Sequence, residues 1–319
     1  MAVYTEVTDD ALAAFLERYE IGRVVAFRGI AEGVENSNYS LRTTEGDFIL
    51  TLYEKRVDPV ELPWFLGLME HLAAQSLPCP LPVRARDGAN LNPLAGRIAA
   101  ITTFLPGIWP RRPTAAHCGP LGAALARLHE AGTGYAAERA NALGPHGWRP
   151  LLDRCGESAD RVQPGWGVEL AAALDRILAA WPEDLPRGQI HADLFPDNVF
   201  FLDGAISGLI DFYFAATDYF AYDIAVCLNA WCFEADLTFN ITKSRALLRG
   251  YQSIRPLAPG ETAALPVLCQ GAAIRFLLTR LYDWINTPDG ALVTRKDPMP
   301  YYRRLRFHAQ TRSASDYGL

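Results

Sequence analysis

The sequence predicts an α+β protein of two lobes, the first small and rich in β-strands and the second larger and mostly helical. Three observations support this prediction. Short β-rich runs follow one another in the first third of the chain, apolar residues recur at helical spacing in the last two thirds, and one β-hairpin carrying polar residues interrupts the helical part. A chain of 319 residues is long enough for one large or two medium domains.

The first lobe is predicted to open with an amphipathic helix. Thr8 can cap it, and its apolar residues follow the i, i+3, i+4, i+7 stripe: Leu12, Phe15, Leu16 and Tyr19. Three β-rich runs come next, namely GRVVAFRGI, YSLRT and FILTLY, and the last two are joined by a predicted hairpin turn over 44–47. These runs predict a small antiparallel sheet.

Helical spacing returns over residues 61–75 and ends at the proline-rich segment LPCPLPV. A further hairpin is predicted about Asp87 to Asn90, followed by the run RIAAITTF. The segment 102–110, TTFLPGIWP, is rich in turn-forming residues and is interpreted as a hinge. We therefore predict an N-terminal nucleotide-binding lobe over 1–104 and a helical catalytic and substrate lobe over 105–319.

The second lobe is predicted to contain at least five helices. Leu121, Leu125 and Leu128 mark the first, residues 168–181 form the second, and three more start near Thr217, Thr242 and Glu261.

The hairpin that interrupts these helices carries the most informative motif of the chain. Residues 188–198 read GQIHADLFPDN and set His191, Asp193 and Asn198 at the HxDxxxxN spacing of a phosphoryl-transfer loop. Asp193 is the predicted base for an acceptor hydroxyl, and Asn198 is a predicted Mg²⁺ ligand. Asp211, in LIDF at the end of the hairpin, is the predicted second metal ligand.

The same motif has a structural interpretation beside the catalytic one. Asp193 could cap a helix and Asn198 could close a turn, as such residues often do. The following hairpin and Asp211 favour the catalytic interpretation. His191 is expected to orient the loop through a hydrogen bond and to take no part in the chemistry.

The nucleotide side is less clearly encoded. Gly29 and Gly33 could cradle phosphates, although a plain surface turn is an equally good reading, and the strand FILT has Thr51 where kinases place a phosphate-pairing lysine. We assign Lys55 as the predicted nucleotide-binding residue. Arg42 is the alternative, because the predicted hairpin pairing places it opposite Ile49, on the face that Thr51 also uses.

Composition excludes several classes of function. A formal charge of −6 and a pI near 5.6 argue against nucleic-acid binding. No apolar run was judged long enough to span a membrane and the N-terminus lacks signal-peptide features, so a cytoplasmic protein is expected. The six cysteines are expected to be reduced thiols, and Cys227 and Cys232 are expected to pack in the interior and not to bind zinc.

Taken together, these motifs resemble the aminoglycoside phosphotransferase and choline kinase group, whose loop also reads HxDxxxxN followed by IDF or IDW. Within that group the chain is most similar to the bacterial homoserine kinases. The resemblance covers nearly the whole chain and is carried by GVENSNYSLRT, ILTLYEKR, HADLFPDNV, LIDFYFA, YDIAVCLNAWCF and RFLLTRLYDW. It implies a bilobal protein-kinase-like fold with the nucleotide in the cleft, and a structural role for Asp223 in YDIA.

The resemblance further implies transfer of the γ-phosphoryl group of MgATP to the side-chain hydroxyl of L-homoserine, on the route to threonine. An amino-acid acceptor brings a carboxylate that suits an arginine fork. Arg275 and Arg280, in the helix AIRFLLTRLYDW, are the predicted substrate-binding residues. The alternative for Arg280 is an ion pair with Asp283 on the same helix.

Other functions stay open at this point. The same chemistry could act on choline, ethanolamine, methylthioribose or an aminoglycoside, with Trp231, Phe233 or Tyr213 as possible pocket walls, although core packing is the favoured role for these aromatic residues. A non-catalytic nucleotide-binding protein on the same fold is a further alternative. The sequence predicts no oligomeric state.

Overall fold

A computed structural model describes residues 4–31, 36–54, 58–287 and 295–319, and the chain divides into two compact units. The first unit comprises Met1–Gly107 together with Ser207–Tyr213. The second comprises Ile108–Ile206 and Phe214–Leu319. The predicted boundary at 104/105 did not include the return of residues 207–213 to the first unit.

The first unit is built on an antiparallel five-stranded sheet, in the strand order β1-β2-β3-β5-β4. Its elements are α1 (Asp9–Leu16), β1 (Val24–Gly29), β2 (Ser37–Thr43), β3 (Asp47–Tyr53), α2 (Leu62–Ala74), β4 (Asn92–Leu94) and β5 (Arg97–Thr103). The predicted β-rich first lobe is confirmed.

Helix α1 begins as the sequence predicts. The Thr8 hydroxyl accepts a hydrogen bond from the Ala11 amide at 3.3 Å, which satisfies one of the free donors of the first turn. Leu12, Phe15 and Leu16 are buried and pack with alternate residues of the sheet, including Leu41 and Leu50. The helix therefore covers one face of the sheet and closes the core of this unit.

Two local predictions for this unit are wrong. Arg42 pairs with Asp47, not with Ile49, because the Thr43 amide donates to the Gly46 carbonyl at 2.8 Å and the ladder continues up to a tight four-residue turn. The hairpin that leads into β5 turns at Ala95 and Gly96, both with positive φ, and not at 87–90. Residues 87–90 form a local turn instead, in which the Ala89 amide bonds the Asp87 carboxylate.

The second unit is mostly helical, as predicted. Its helices are α3 (Ala115–Ala131), α4 (Pro145–Cys155), α5 (Ser158–Val162), α6 (Trp166–Ala179), α7 (Phe220–Trp231), α8 (Ile241–Gln252), α9 (Pro259–Asn286) and α10 (Met299–His308). Its strands are β6 (Arg187–Ile190), β7 (Val199–Leu202) and β9 (Ala216–Tyr219); β8 (Ala205–Leu209) begins here and runs into the first unit.

Four short strands surround the polar motif. Strands β7 and β8 form the predicted hairpin. Strand β6 pairs antiparallel with β9, an arrangement that the sequence did not predict. Because residues 216–219 are used in this pairing, the helix predicted to start near Thr217 begins only at Phe220.

Helices α3 and α8 cross at close range because glycine allows their backbones to touch. A Cβ atom built on Gly122 would lie 2.0 Å from the Leu247 carbonyl oxygen, a distance that no side chain tolerates. This contact fixes α3 against α8, and α3 in turn carries His129 toward the polar motif.

Helix α9 runs through the centre of the second unit. By length and composition alone this helix could cross a membrane, although no apolar run of that length was expected from the sequence. However, 61% of its most apolar window is buried within the protein, and Arg275 lies inside the helix. These features are those of a core helix.

Candidate active site

The predicted catalytic loop lies between β6 and β7 and ends in a short 3-10 turn over Pro196–Asn198. The turn brings Asn198 back onto the start of the loop. Its side-chain Nδ2 donates to the Asp193 carbonyl oxygen at 2.8 Å and lies 3.5 Å from the Asp193 carboxylate. Two of the predicted site residues are thus neighbours, and Asn198 is buried.

The environment of Asp193 suits a proton acceptor. Burial raises the pKa of its carboxyl group to about 6, against the opposing effect of the positive charges of Arg275 and Lys296. The side chain nevertheless keeps part of its surface open to solvent. A carboxylate with a pKa just below neutrality is ionised at pH 7 and still basic enough to accept a proton.

Asp223 of α7 holds the backbone of the loop. Its carboxylate accepts hydrogen bonds from the amides of His191 at 2.7 Å and Ala192 at 2.8 Å. Ala192 adopts a left-handed conformation with φ of 61°, which costs roughly 1–2 kcal/mol for a residue other than glycine. The fully buried Asp223 compensates this strain, which confirms the structural role expected of it.

A chain of buried polar groups stands behind Asp223. His129 Nε2 lies 3.2 Å from the Asp223 carboxylate, and its Nδ1 lies 2.7 Å from the Tyr251 hydroxyl. Burial lowers the pKa of His129, whereas the hydrogen bonds from His129 and the loop outweigh burial and lower the pKa of Asp223. Neutral His129 therefore donates to ionised Asp223 and accepts from Tyr251.

The chain continues to the start of α9. Arg255 donates to the Tyr251 hydroxyl at 3.1 Å and forms a two-pronged ion pair with the buried Glu261, at 3.0 and 3.1 Å. Bidentate pairs of this kind are directional and hold both partners in place. The loop is thus supported through four helices: α3, α7, α8 and α9.

Helix α7 also fixes the middle of the loop. The indole nitrogen of Trp231 donates to the Leu194 carbonyl at 2.8 Å, and the Cys227 thiol lies 3.9 Å from the same oxygen. Trp231 is only 1% exposed, so the favoured core-packing role is confirmed for this residue. As expected, His191 orients the loop, accepting the Asp193 amide at 3.3 Å through Nδ1.

Arg275 lies directly beneath the loop. It is 2% exposed, one guanidinium nitrogen donates to the Ala192 carbonyl oxygen, and the guanidinium carbon stands 4.1 Å from the ring centre of Phe276. These contacts orient it toward the loop backbone, and its positive charge lowers the pKa of Asp193. Its assignment to substrate binding stays a prediction.

Arg280 lies one turn further along α9. Its guanidinium carbon is 4.5 Å from the ring centre of Tyr301, on α10, and one nitrogen donates to the Asp297 carbonyl oxygen at 3.3 Å. Arg304 lies 4.4 Å from the centre of the same ring. Tyr301 and Arg304 were not predicted from the sequence, because no local pattern marks them.

Asp211 belongs to the first unit and sits just after β8. It is exposed and adopts a left-handed conformation with φ of 66°. Two residues on, the Tyr213 hydroxyl lies 3.0 Å from the Tyr53 hydroxyl, and burial, with a contribution from the Asp211 charge, raises the pKa of Tyr53 to about 12. Strained backbone therefore occurs in both predicted catalytic segments.

The predicted nucleotide residues are differently placed. Lys55 and Gly33 lie outside the described residues. Arg42 forms an exposed surface ion pair, with Nε 2.7 Å from the Asp47 carboxylate. Thr51, at the usual lysine position, donates to the Asn38 side chain at 2.8 Å.

The predicted metal ligands carry suitable donor atoms. Within the described residues the Asn198 side chain makes its hydrogen-bond contacts through Nδ2, and no donor bonds its Oδ1 oxygen. The Asp211 carboxylate is exposed. A carbonyl and a carboxylate oxygen are the hard ligands that Mg²⁺ prefers, so the residues fit this ion.

Comparison with known proteins identifies the family. The phosphotransferase enzyme family matches residues 26–257. The chain is 82% identical over 319 residues to a homoserine kinase of Acidiphilium cryptum, with complete coverage of both chains. It belongs to the homoserine kinases of this family. A homoserine kinase of Granulibacter bethesdensis is 70% identical, again over both whole chains.

The fold of these homoserine kinases is shared with more distant enzymes. An amicoumacin kinase solved with AMP-PNP and Ca²⁺ superimposes with a TM-score of 0.74 at 14% identity, covering 95% of this chain and 94% of that one. The predicted kinase-like α+β fold is thereby confirmed. Membership of a kinase family also implies the use of ATP.

Proposed function

We propose that the protein transfers the γ-phosphoryl group of ATP to the side-chain hydroxyl of L-homoserine, giving O-phospho-L-homoserine for threonine synthesis. The observation that carries the proposal is the whole-length identity of 82% to a homoserine kinase. The loop that holds Asp193 beside Asn198 supplies chemistry that this reaction needs. The predicted cytoplasmic location, where ATP is available, accords with this role and stays a prediction.

In this proposal Asp193 is the base. Its ionised carboxylate accepts the proton of the acceptor hydroxyl as the oxygen attacks phosphorus, and its pKa of about 6 places it in the active form at pH 7. Asn198 and Asp211 are the proposed Mg²⁺ ligands, and each side chain carries an oxygen donor of the kind this ion prefers. When bound, MgATP supplies the phosphoryl donor, and the metal neutralises its negative charge.

Two residues from neighbouring helices position the base. Asp223 and Arg275 bind opposite groups of the Ala192 peptide region, the first its amide and the second its carbonyl. Clamping the backbone next to Asp193 from two sides limits the freedom of the carboxylate before the acceptor arrives. Such pre-organisation lowers the entropic part of the barrier.

The decisive experiment assays the purified protein with MgATP against a panel of hydroxyl acceptors: L-homoserine, choline, ethanolamine, methylthioribose and an aminoglycoside. L-Homoserine is expected to give the highest kcat/KM. A higher value for any other acceptor would refute the proposed substrate while leaving the kinase family intact.

The role of Asp193 is tested by Asp193→Asn, with Asp197→Asn as the matched control on the same loop. Asp197 is exposed, so its substitution is expected to leave turnover within about twofold. Asp193→Asn is expected to lower kcat by about 10²–10⁴-fold while AMP-PNP still binds in calorimetry. Unchanged turnover in Asp193→Asn would exclude this base.

A further inference from the structure

A cluster of two arginines and one tyrosine stands beside the catalytic loop in the second unit. The guanidinium carbons of Arg280 and Arg304 lie 4.5 and 4.4 Å from the centre of the Tyr301 ring. Arg304 is also 5.2 Å from the ring centre of Phe233. Two positively charged groups therefore lie against the same aromatic ring, and one of them also lies against a second ring.

No carboxylate of the described residues forms an ion pair with either arginine of this cluster. Within 4–31, 36–54, 58–287 and 295–319, neither Arg280 nor Arg304 has a carboxylate at ion-pair distance, and the contact of Arg280 with Asp297 is to a backbone carbonyl. Burial, together with the neighbouring charge of Arg304, lowers the pKa of Arg280. Like charges brought together away from water are unfavourable unless an anion joins them.

The cluster also contains buried hydrogen-bond donors that find no acceptor among the described residues. Tyr301 is 0% exposed, yet its hydroxyl has no partner in the part of the chain that the structure describes, and the same holds for the buried Nε of Arg304. Buried polar groups in proteins are almost always satisfied. Unsatisfied donors beside cations that lack an ion-pair partner among the described residues are the features of a binding site for an anion.

The cluster packs beside the catalytic loop through one aromatic residue. The Tyr301 ring centre lies 5.2 Å from that of Phe276, which lies 4.9 Å from the ring centre of Phe195 in the loop. The cluster therefore stands next to the loop that carries Asp193.

The proposed base also acts on the cluster electrostatically. The charge of Asp193 acts on both Arg280 and Tyr301 and opposes the lowering of the Arg280 pKa. An acceptor whose hydroxyl contacts Asp193 can therefore extend its other end toward the arginines. Arg275 is the less suitable partner for that end, since it is only 2% exposed and donates to the loop backbone at Ala192, whereas Arg280 and Arg304 are only partly buried.

We infer that Arg280, Arg304 and the Tyr301 hydroxyl bind the α-carboxylate of the acceptor amino acid. This inference rests on the proposed function. It extends the predicted role of Arg280 to two residues of α10, a helix outside the region 26–257 that matches the family. A carboxylate satisfies the cluster because guanidinium groups bind it through paired, charge-assisted hydrogen bonds, which the phenol can supplement.

The test compares two acceptors that differ only in the carboxylate, L-homoserine and 3-amino-1-propanol. Arg304→Met is expected to lower kcat/KM for L-homoserine by about 30–100-fold, since a hydrogen bond to a charged group is lost. It should leave kcat/KM for 3-amino-1-propanol within about threefold. The matched control is Arg303→Met, an exposed neighbour on the same helix, which should change neither value.

A second variant guards against loss of folding. Tyr301→Phe removes only a hydroxyl that has no partner in the described chain, so its melting temperature should equal or exceed that of the wild type. Its KM for L-homoserine should rise about 5–10-fold, with 3-amino-1-propanol again unaffected.

The outcomes separate this inference from the proposed function. If the wild type phosphorylates L-homoserine but Arg304→Met and Tyr301→Phe affect both acceptors equally or not at all, the carboxylate site is refuted. If the variants instead raise KM for ATP, the cluster binds phosphate and the inference is wrong. A wild type that prefers an acceptor other than L-homoserine overturns the proposed function itself.

Discussion

Substitution of Asp223 by asparagine tests how the catalytic loop is held. The carboxylate accepts two backbone amides, at 2.7 and 2.8 Å, and faces His129 at 3.2 Å, all in a fully buried position. Asparagine keeps one oxygen but turns an NH₂ group toward one of these donors. Asp223→Asn therefore loses one charge-assisted bond and leaves one buried N–H opposite another donor.

The magnitude follows from these contacts. A lost hydrogen bond to a charged group costs about 1.5–3 kcal/mol, and an unsatisfied buried donor costs about 1–3 kcal/mol. We expect a destabilisation of roughly 3–5 kcal/mol, a large share of the 5–15 kcal/mol typical of whole domains. Release of Ala192 from its left-handed conformation should also displace Asp193 and lower kcat about 100-fold.

The assay is urea unfolding followed by circular dichroism, combined with steady-state kinetics on the folded fraction. Asp175→Asn serves as the control, because Asp175 only forms an exposed ion pair with Arg149 and should contribute less than about 1 kcal/mol. If Asp223→Asn were as stable and as active as this control, the carboxylate would not be the anchor of the loop.

Three further predictions concern the pKa of Asp193, the close contact between α3 and α8, and the role of Arg275. The pKa of Asp193 is about 6 in the folded state and about 3.9 in the unfolded state, so the folded protein binds more protons between these values and loses stability as pH rises through them. Asp193→Asn should therefore stabilise the metal-free protein by about 1–2 kcal/mol at pH 7. Equal melting temperatures for the variant and the wild type at pH 7 would contradict the raised pKa. Gly122→Ala should lower the free energy of unfolding in urea by about 2–4 kcal/mol, because the added Cβ meets the Leu247 carbonyl. Gly119→Ala should leave that free energy unchanged or raise it, because its Cβ would lie 3.9 Å from the nearest atom. Equal effects of the two substitutions would count against the close helix contact. Arg275→Met should lower kcat more than it raises KM for L-homoserine, and the reverse pattern in steady-state kinetics would favour direct substrate binding.

The sequence was most informative where function depends on neighbours along the chain. The spacing of Asp193 and Asn198 is closed by a single 3-10 turn, so a local motif was enough to place them together. The capped start of helix α1 is likewise encoded by adjacent residues. Contacts between residues adjacent in the chain determine these features, so sequence patterns are sufficient to predict them.

Other features depend on residues far apart in the chain. The β6–β9 pairing and the His129–Asp223 contact join distant segments, and no periodic pattern in the sequence predicts such contacts. Tyr301 and Arg304 became candidates only when folding placed them around Arg280. The register error at Arg42 has a smaller cause: the four-residue turn lies at 43–46, one residue earlier than predicted, which moves the partner of Arg42 by two positions.

The return of residues 207–213 to the first unit has a consequence for its biosynthesis. The buried Tyr53 hydroxyl forms its hydrogen bond with Tyr213, about half the chain later, and the Pro78 carbonyl accepts a hydrogen bond from the Leu209 amide. A ribosome that has released only the first 107 residues has therefore not yet delivered all the parts of this unit. We expect a recombinant fragment ending there to aggregate, and one that brings 207–213 back through a short linker to fold more readily.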